Sequence, residues 1–181
     1  HADVDALWDS DKTHHVLIAS ETTNSIRLAI NGGATKAEAV AQAKIDAEAY
    51  IASVTATHPW VVLLWSALPA GHADIATYPD DVDKNDGIIE VNDWMAGNYA
   101  AIGAHGYENL RASIPQFNHD GKTASNFSAY QGAWYEAPPA TNLWTSYGWL
   151  HPLEGSWTSG TAGTGKRAIA EKLATRLTDA A

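Results

Sequence analysis

The chain has no cysteine, one methionine and two phenylalanines, and sets 11 basic residues against 21 acidic ones in a length of 181. Without cysteine there is neither a disulfide framework nor a thiolate metal site, and the compartment stays open: secreted, or part of a larger assembly. The formal net charge of −10 argues against nucleic-acid partners and against anionic membrane surfaces. No stretch approaches the ~18 apolar residues that a bilayer span requires. Internal repeats, low-complexity tracts and linkers are missing as well. There is no legible signal peptide, and the first residue is His1 rather than Met. The expectation is a processed chain, or a piece of a longer one.

What is present describes one soluble globular domain covering 1–181. Apolar residues make up 45% and charged residues 18%, ordinary values for such a domain. Eight tryptophans serve either as core and loop anchors or as the lining of an aromatic ligand cleft.

The stretch that organises the rest is His14–Ile26, HHVLIASETTNSI. Its apolar run suits a strand over His14–Ala19 buried on both faces of a parallel sheet. In open α/β sheets ligands sit beyond the carboxyl ends of the strands, which is where Ser20 to Asn24 fall. Before this strand, Val4, Leu7 and Trp8 have the spacing of a helix tail. After it, Asn31-Gly32-Gly33 reads as the end of a polar loop. Thr35 and Glu38 then form a capping box, in which the hydroxyl serves the third helical amide and the carboxylate reaches back to the cap. Val40, Ala43, Ala47, Tyr50/Ile51 and Val54 continue it as one apolar stripe, predicting a helix over Lys36–Ala56. His58-Pro59 ends that helix. Trp60–Leu68 is a second apolar strand, and the two strands with their helix make a right-handed βαβ unit.

Downstream the signals are weaker. Gly71–Asp86 reads as an acidic, irregular loop. Asp80, Asp81, Asp83 and Asp86 cluster there, but without the spacing and closing Glu of an EF-hand. Val91, Met95, Tyr99 and Ile102 predict a helix near Ile88–Ala104, and Tyr107–Ile114 is a further strand candidate. Pro115–Trp149 lacks periodicity, is rich in aromatics and proline, and is too long for a plain connector. Ile169, Leu173 and Leu177 predict a last helix over Thr164–Thr178. The fold expected is α/β, with three layers and a parallel sheet.

Three residues carry candidate chemistry. Asn24, just past the first strand, is a fixed amide donor. His151, followed by Pro152 ahead of the last helix, is a base that can swing over the same edge. Ser20 lies beside Asn24. An acyl-transfer hydrolase needs a nucleophile, a base that takes its proton and donors for the oxyanion. The other histidines (His14, His15, His58, His72, His105 and His119) show no spacing that converges on a metal. His1 invites chelation of copper through its amine and ring, as in copper oxygenases. Those proteins are β-sandwiches, whereas long helices between buried strands dominate here, so neither a metal nor any other cofactor is expected.

Taken in order, these blocks resemble the SGNH/GDSL esterase–lipase family without its beginning. Glu21-Thr22-Thr23-Asn24-Ser25 stands where the family has Gly-x-Asn-Asp. His58-Pro59-Trp60-Val61-Val62-Leu63-Leu64 through Pro69 matches its next strand, and Gly148-Trp149-Leu150-His151-Pro152 its closing Asp-x-x-His-Pro block. The resemblance implies a flavodoxin-like α/β/α domain lacking its first strands, with Asn24 as oxyanion donor and His151 as general base. It implies a carboxyl-ester or carbohydrate O-acyl ester as substrate. Thr22 and Ser25 depart from the consensus, and Gly148 replaces the triad acid. Glu154, Glu136 and Asp120 are substitutes by sequence proximity alone. The family's nucleophile block would lie before His1. Within the chain, Ser156 lies after the histidine and follows no strand, and Ser20 is expected inside the strand end rather than on a strand-to-helix turn.

Two readings follow from the resemblance. In one, the chain is the C-terminal two thirds of an ester hydrolase whose serine lies on an upstream segment. In the other, it is a non-catalytic binding or assembly module with a decayed triad, whose binding face is the loop 127–149 bearing Trp144, Tyr147 and Trp149. Either way, the strand His14–Ala19 is expected to have an apolar edge that pairs with an upstream segment or a partner chain.

Overall fold

In a computed structural model the described residues are 2–20, 23–67, 80–113 and 165–180. The order is α1 (Ala2–Asp5), β1 (Val16–Ala19), α2 (Thr23–Asn31), α3 (Lys36–Thr57), β2 (Val61–Trp65), α4 (Asp80–Asn98), β3 (Gly106–Glu108), α5 (Leu110–Ser113) and α6 (Gly165–Ala180). The strands form one sheet in the order β1-β2-β3, and both pairings are parallel. The α/β class and the parallel sheet expected from the sequence are therefore present.

Side-chain alternation along the strands separates two faces. Val62 and Leu64 of β2 are buried on one face, with Ala19 of β1 and Tyr107 of β3. Against them pack Ala39, Val40, Ala43 and Ile51 of α3 and Ile88, Val91 and Met95 of α4. Ala47 and Val54 complete the buried stripe of α3. Three of its six buried residues are alanine, so α3 can approach the sheet closely there. On the other face, Leu63 is buried beside Gly106, where an added Cβ would lie 3.0 Å from Leu63 Cδ1. Glu108 follows on this face and pairs with Arg176 Nε at 2.6 Å. Helix α6 thus lies across the sheet from α3 and α4.

The capping box is present in full. Thr35 Oγ1 accepts from the Glu38 amide at 3.3 Å, and the Thr35 amide donates to Glu38 Oε2 at 2.9 Å. The predicted helix over 36–56 matches α3 to within a residue, and His58 is its C-cap. The final helix also lies close to its predicted span.

Other expectations require correction. The strands are shorter than predicted: β1 ends at Ala19 as expected but starts only at Val16, and β2 is confined to Val61–Trp65. The polar loop after β1 contains a nine-residue helix, α2, whose Ile26 is fully buried. Asn31-Gly32-Gly33 is its C-terminal cap. Gly33 takes a φ of 96°, its amide donates to Ile30 O, and the Ala34 amide donates to Ala29 O. This is a Schellman motif. Helix α4 begins eight residues earlier than Ile88, at Asp80, because the acidic run favours the positive end of a helix dipole. A second Schellman cap at Gly103, φ 94°, returns the chain to the sheet, with the Ala104 amide on Tyr99 O. The strand expected over Tyr107–Ile114 ends at Glu108 and gives way to the short helix α5.

Two outcomes follow for the capping box. Thr35→Ala should cost about 1 kcal/mol of unfolding free energy in urea titration. The hydrogen bonds from the Thr35 side chain, and then its backbone, hold the Glu38 carboxyl below the ordinary glutamate range. The stabilisation is present above the unfolded-state value and is lost as pH falls through the folded one. Glu38→Gln should therefore flatten the acid limb of the stability profile.

Candidate functional site

Because all three strands run the same way, their carboxyl ends share one edge of the sheet. Ser20 leaves β1 there, half-buried, and Asn24 follows, exposed in the first turn of α2. The structure corrects one expectation: Ser20 lies just beyond the strand end at Ala19, and not within it.

Where β2 ends, the edge is held by a buried polar clamp. Ser66 and Ala67 follow the strand, and both are fully buried. The Ala67 amide donates to Asn92 Oδ1 at 2.7 Å, and Asn92 Nδ2 donates to the Ala67 carbonyl at 3.0 Å. Tyr107 Oη donates to the Asn92 carbonyl at 3.1 Å. One side-chain amide thus satisfies both peptide groups of a residue that has left the ladder, in a place water does not reach. The Ser66 amide continues the pairing by donating to Glu108 O at 2.9 Å. Its hydroxyl is buried with no hydrogen-bond partner among the described residues. Asn92 was legible in principle. It stands four residues after Ile88 and one after Val91, on the buried stripe of α4, where a polar residue needs a partner.

The opposite, amino edge collects the described histidines. His14 and His15 precede β1, His58 precedes β2 and His105 precedes β3. Trp8 stacks on His15 at 3.7 Å between ring centroids and on His58 at 4.6 Å. Two rings that close to one indole would overlap on a single face, so they take opposite faces. Trp60 lies at 81° to Trp8 and 86° to His15. His15 Nε2 lies 2.7 Å from the Asp9 carbonyl, and Thr57 Oγ1 donates to Asp5 Oδ1 at 2.6 Å. The cluster fastens α1 and the following turn to the foot of α3. His105 Nδ1 accepts from the Val62 amide at 3.1 Å, another packing role.

All four of these histidines therefore lie across the sheet from Asn24. His151, Trp144, Tyr147 and Trp149 lie outside the described residues, as do Glu154, Glu136, Asp120 and Ser156. Among the described residues, no group of three or more His, Asp or Glu could hold a metal ion. A cavity of about 10 Å3 between Ala19, Ala47, Tyr50, Leu64 and Met95 has room for about one water and is nearly all apolar. No described helix is long and apolar enough to cross a membrane. No protein-family model, curated protein or solved structure matches the chain.

Asn92→Ala would strip both partners from the buried Ala67 peptide groups. The expected loss is about 2–4 kcal/mol of unfolding free energy, read by urea titration. A change below about 0.5 kcal/mol, the level of an ordinary surface substitution, would show that the clamp carries no stability.

Proposed function

We propose that the chain is the C-terminal part of an ester hydrolase of the SGNH/GDSL type, built on a flavodoxin-like α/β/α domain. The observation that carries this reading is the place of Asn24. It is exposed in the first turn of α2, a few residues past the carboxyl end of β1. There a side-chain amide is a fixed donor for charge developing above the strand ends. The strand order supports the same domain. Three consecutive parallel strands lying side by side in sequence order fit the 3-4-5 part of the flavodoxin-like order 2-1-3-4-5. In that arrangement the strand carrying the nucleophilic serine lies beside β1.

The reaction proceeds through an acyl-enzyme. The serine oxygen attacks the ester carbonyl while His151 takes its proton. The Asn24 amide donates to the resulting oxyanion. Collapse of the tetrahedral intermediate expels the alcohol, which receives the proton from His151. Water then repeats the sequence and releases the acid. The substrate is a carboxyl ester or an O-acylated carbohydrate, and no cofactor takes part. The described histidines all lie at the opposite edge, which leaves the base to a histidine outside them. The alternative is a non-catalytic module of the same fold. It draws on Ser25 and Gly148, which replace two acids of the family pattern.

The test is turnover of a short p-nitrophenyl ester by the protein extended through its upstream strand. His151→Ala should abolish it. Asn24→Ala should lower kcat by about 10²–10³ with unfolding unchanged, because its side chain is exposed. The 181-residue chain alone should be inactive. Turnover by a monomer of that chain, dependent on His151, would contradict the upstream serine and turn attention to Ser20 and Ser156. An inert longer protein would favour the binding module.

A further inference from the structure

Asn24 is exposed in the first turn of α2, and Ile26, two residues on, is fully buried. Residues two apart in a helix do not share a face. The depth to which Ile26 sinks therefore sets how far Asn24 stands out from the carboxyl edge. What Ile26 meets is Gly87 of α4, itself buried. A Cβ added at Gly87 would lie 3.2 Å from Ile26 Cγ2, against 3.4 Å from Val40 Cγ2 and 3.5 Å from Lys36 Cγ. The two contacts to α3 are close to ordinary van der Waals distance, whereas the one to α2 is too tight. Glycine inside a helix is less favourable than alanine, and this close approach of α2 to α4 accounts for its presence. Gly97, on the same helix, has nothing within 4 Å of an added Cβ.

We propose that Gly87 is a positioning residue for the reaction. By lacking a side chain it lets Ile26 seat against the backbone of α4, and so fixes the place of the Asn24 amide. The role rests on the reading of Asn24 as oxyanion donor, while the packing beneath it is independent of that reading. Ile26 Cγ2 is bonded directly to Cβ, and a β-branched side chain is held to one χ1 rotamer in a helix. The methyl cannot swing aside, and the fully buried Ile26 has no open space to turn into. A methyl added at Gly87 therefore moves the backbone of α2 rather than a side chain. Ala29 and Ile30 hold the far end of α2 against the core, so the movement falls on the first turn and carries Asn24 with it. An oxyanion donor works only within about 2.7–3.1 Å of the developing charge, which leaves little room for such a shift.

Two readouts test it. In the 181-residue chain, Gly87→Ala should shift the backbone and side-chain amide resonances of Asn24. Combining it with Ile26→Leu should return them, because leucine lacks the branched methyl that the new Cβ meets. In the longer protein, Gly87→Ala should lower kcat on the p-nitrophenyl ester by about three- to tenfold, with KM within about twofold. A misplacement of about 1 Å can cost about a hundredfold, and this contact requires a few tenths of an ångström. Ile26→Leu should restore most of that loss. Gly97→Ala puts the same methyl on the same helix in open space, and should leave the Asn24 resonances and kcat unchanged. Asn24 resonances unmoved by Gly87→Ala would overturn the proposal. So would a kcat loss that Gly97→Ala matches, or one that Ile26→Leu does not relieve. An inert longer protein would overturn the hydrolase reading instead, and the resonances alone would then decide whether Gly87 sets the place of Asn24.

Discussion

The structure depends on the burial of Val62 and Leu64 against α3 and α4. Those two side chains set which face of the sheet the helices cover, and β2 is the strand to which β1 and β3 both pair. A one-residue slip of β2 would turn them outward and present Val61, Leu63 and Trp65 instead. The alanines of α3 reinforce the register. Ala39, Ala43 and Ala47 leave room for the strand side chains, where larger residues would hold the helix off. With the face fixed and the strands parallel, the two edges acquire different chemistry. The carboxyl edge receives Ser20, Asn24 and the Asn92 clamp, and the amino edge the stacked Trp8, His15 and His58.

This division explains the handling of polar groups. At the amino edge, imidazoles pack as flat rings and bond to backbone, as His15 does with Asp9 and His105 with Val62. At the carboxyl edge, an amide buried in α4 is spent on holding the Ala67 peptide. The chain therefore leaves β2 in a fixed direction. The ion pair of Glu108 with Arg176 gives α6 a fixed place on the other face. It involves a half-exposed arginine, so its contribution is orientation more than stability.

How much of this was legible in the sequence differed by element, for physical reasons. Helix α3 could be read almost to the residue, because Thr35 and Glu38 mark its start and the apolar stripe keeps helical period. Strands β1 and β2 could be read as apolar runs, though their limits depend on where hydrogen-bonded pairing stops. Helix α2 could not. Thr23, Asn24 and Ser25 are loop formers by composition, and only Ile26 with Ile30 marks a buried side. Its Asn-Gly-Gly close serves a helix cap as well as a free turn. The first turns of α4 read as an acidic loop because charge at a helix start and charge in a loop look alike. Asn24 could be placed beyond a strand end from sequence order alone. The opposite location of His14, His15, His58 and His105 could not, since it depends on the parallel sense of the ladders.

The central claim is that the catalytic serine comes from outside these residues and works with His151. Labelling the longer protein with a fluorophosphonate, then mapping the modified peptide by mass spectrometry, tests it most directly. The account predicts a single labelled serine before His1, with labelling lost in His151→Ala. A label on Ser20 or Ser156, or labelling that survives without His151, would contradict it.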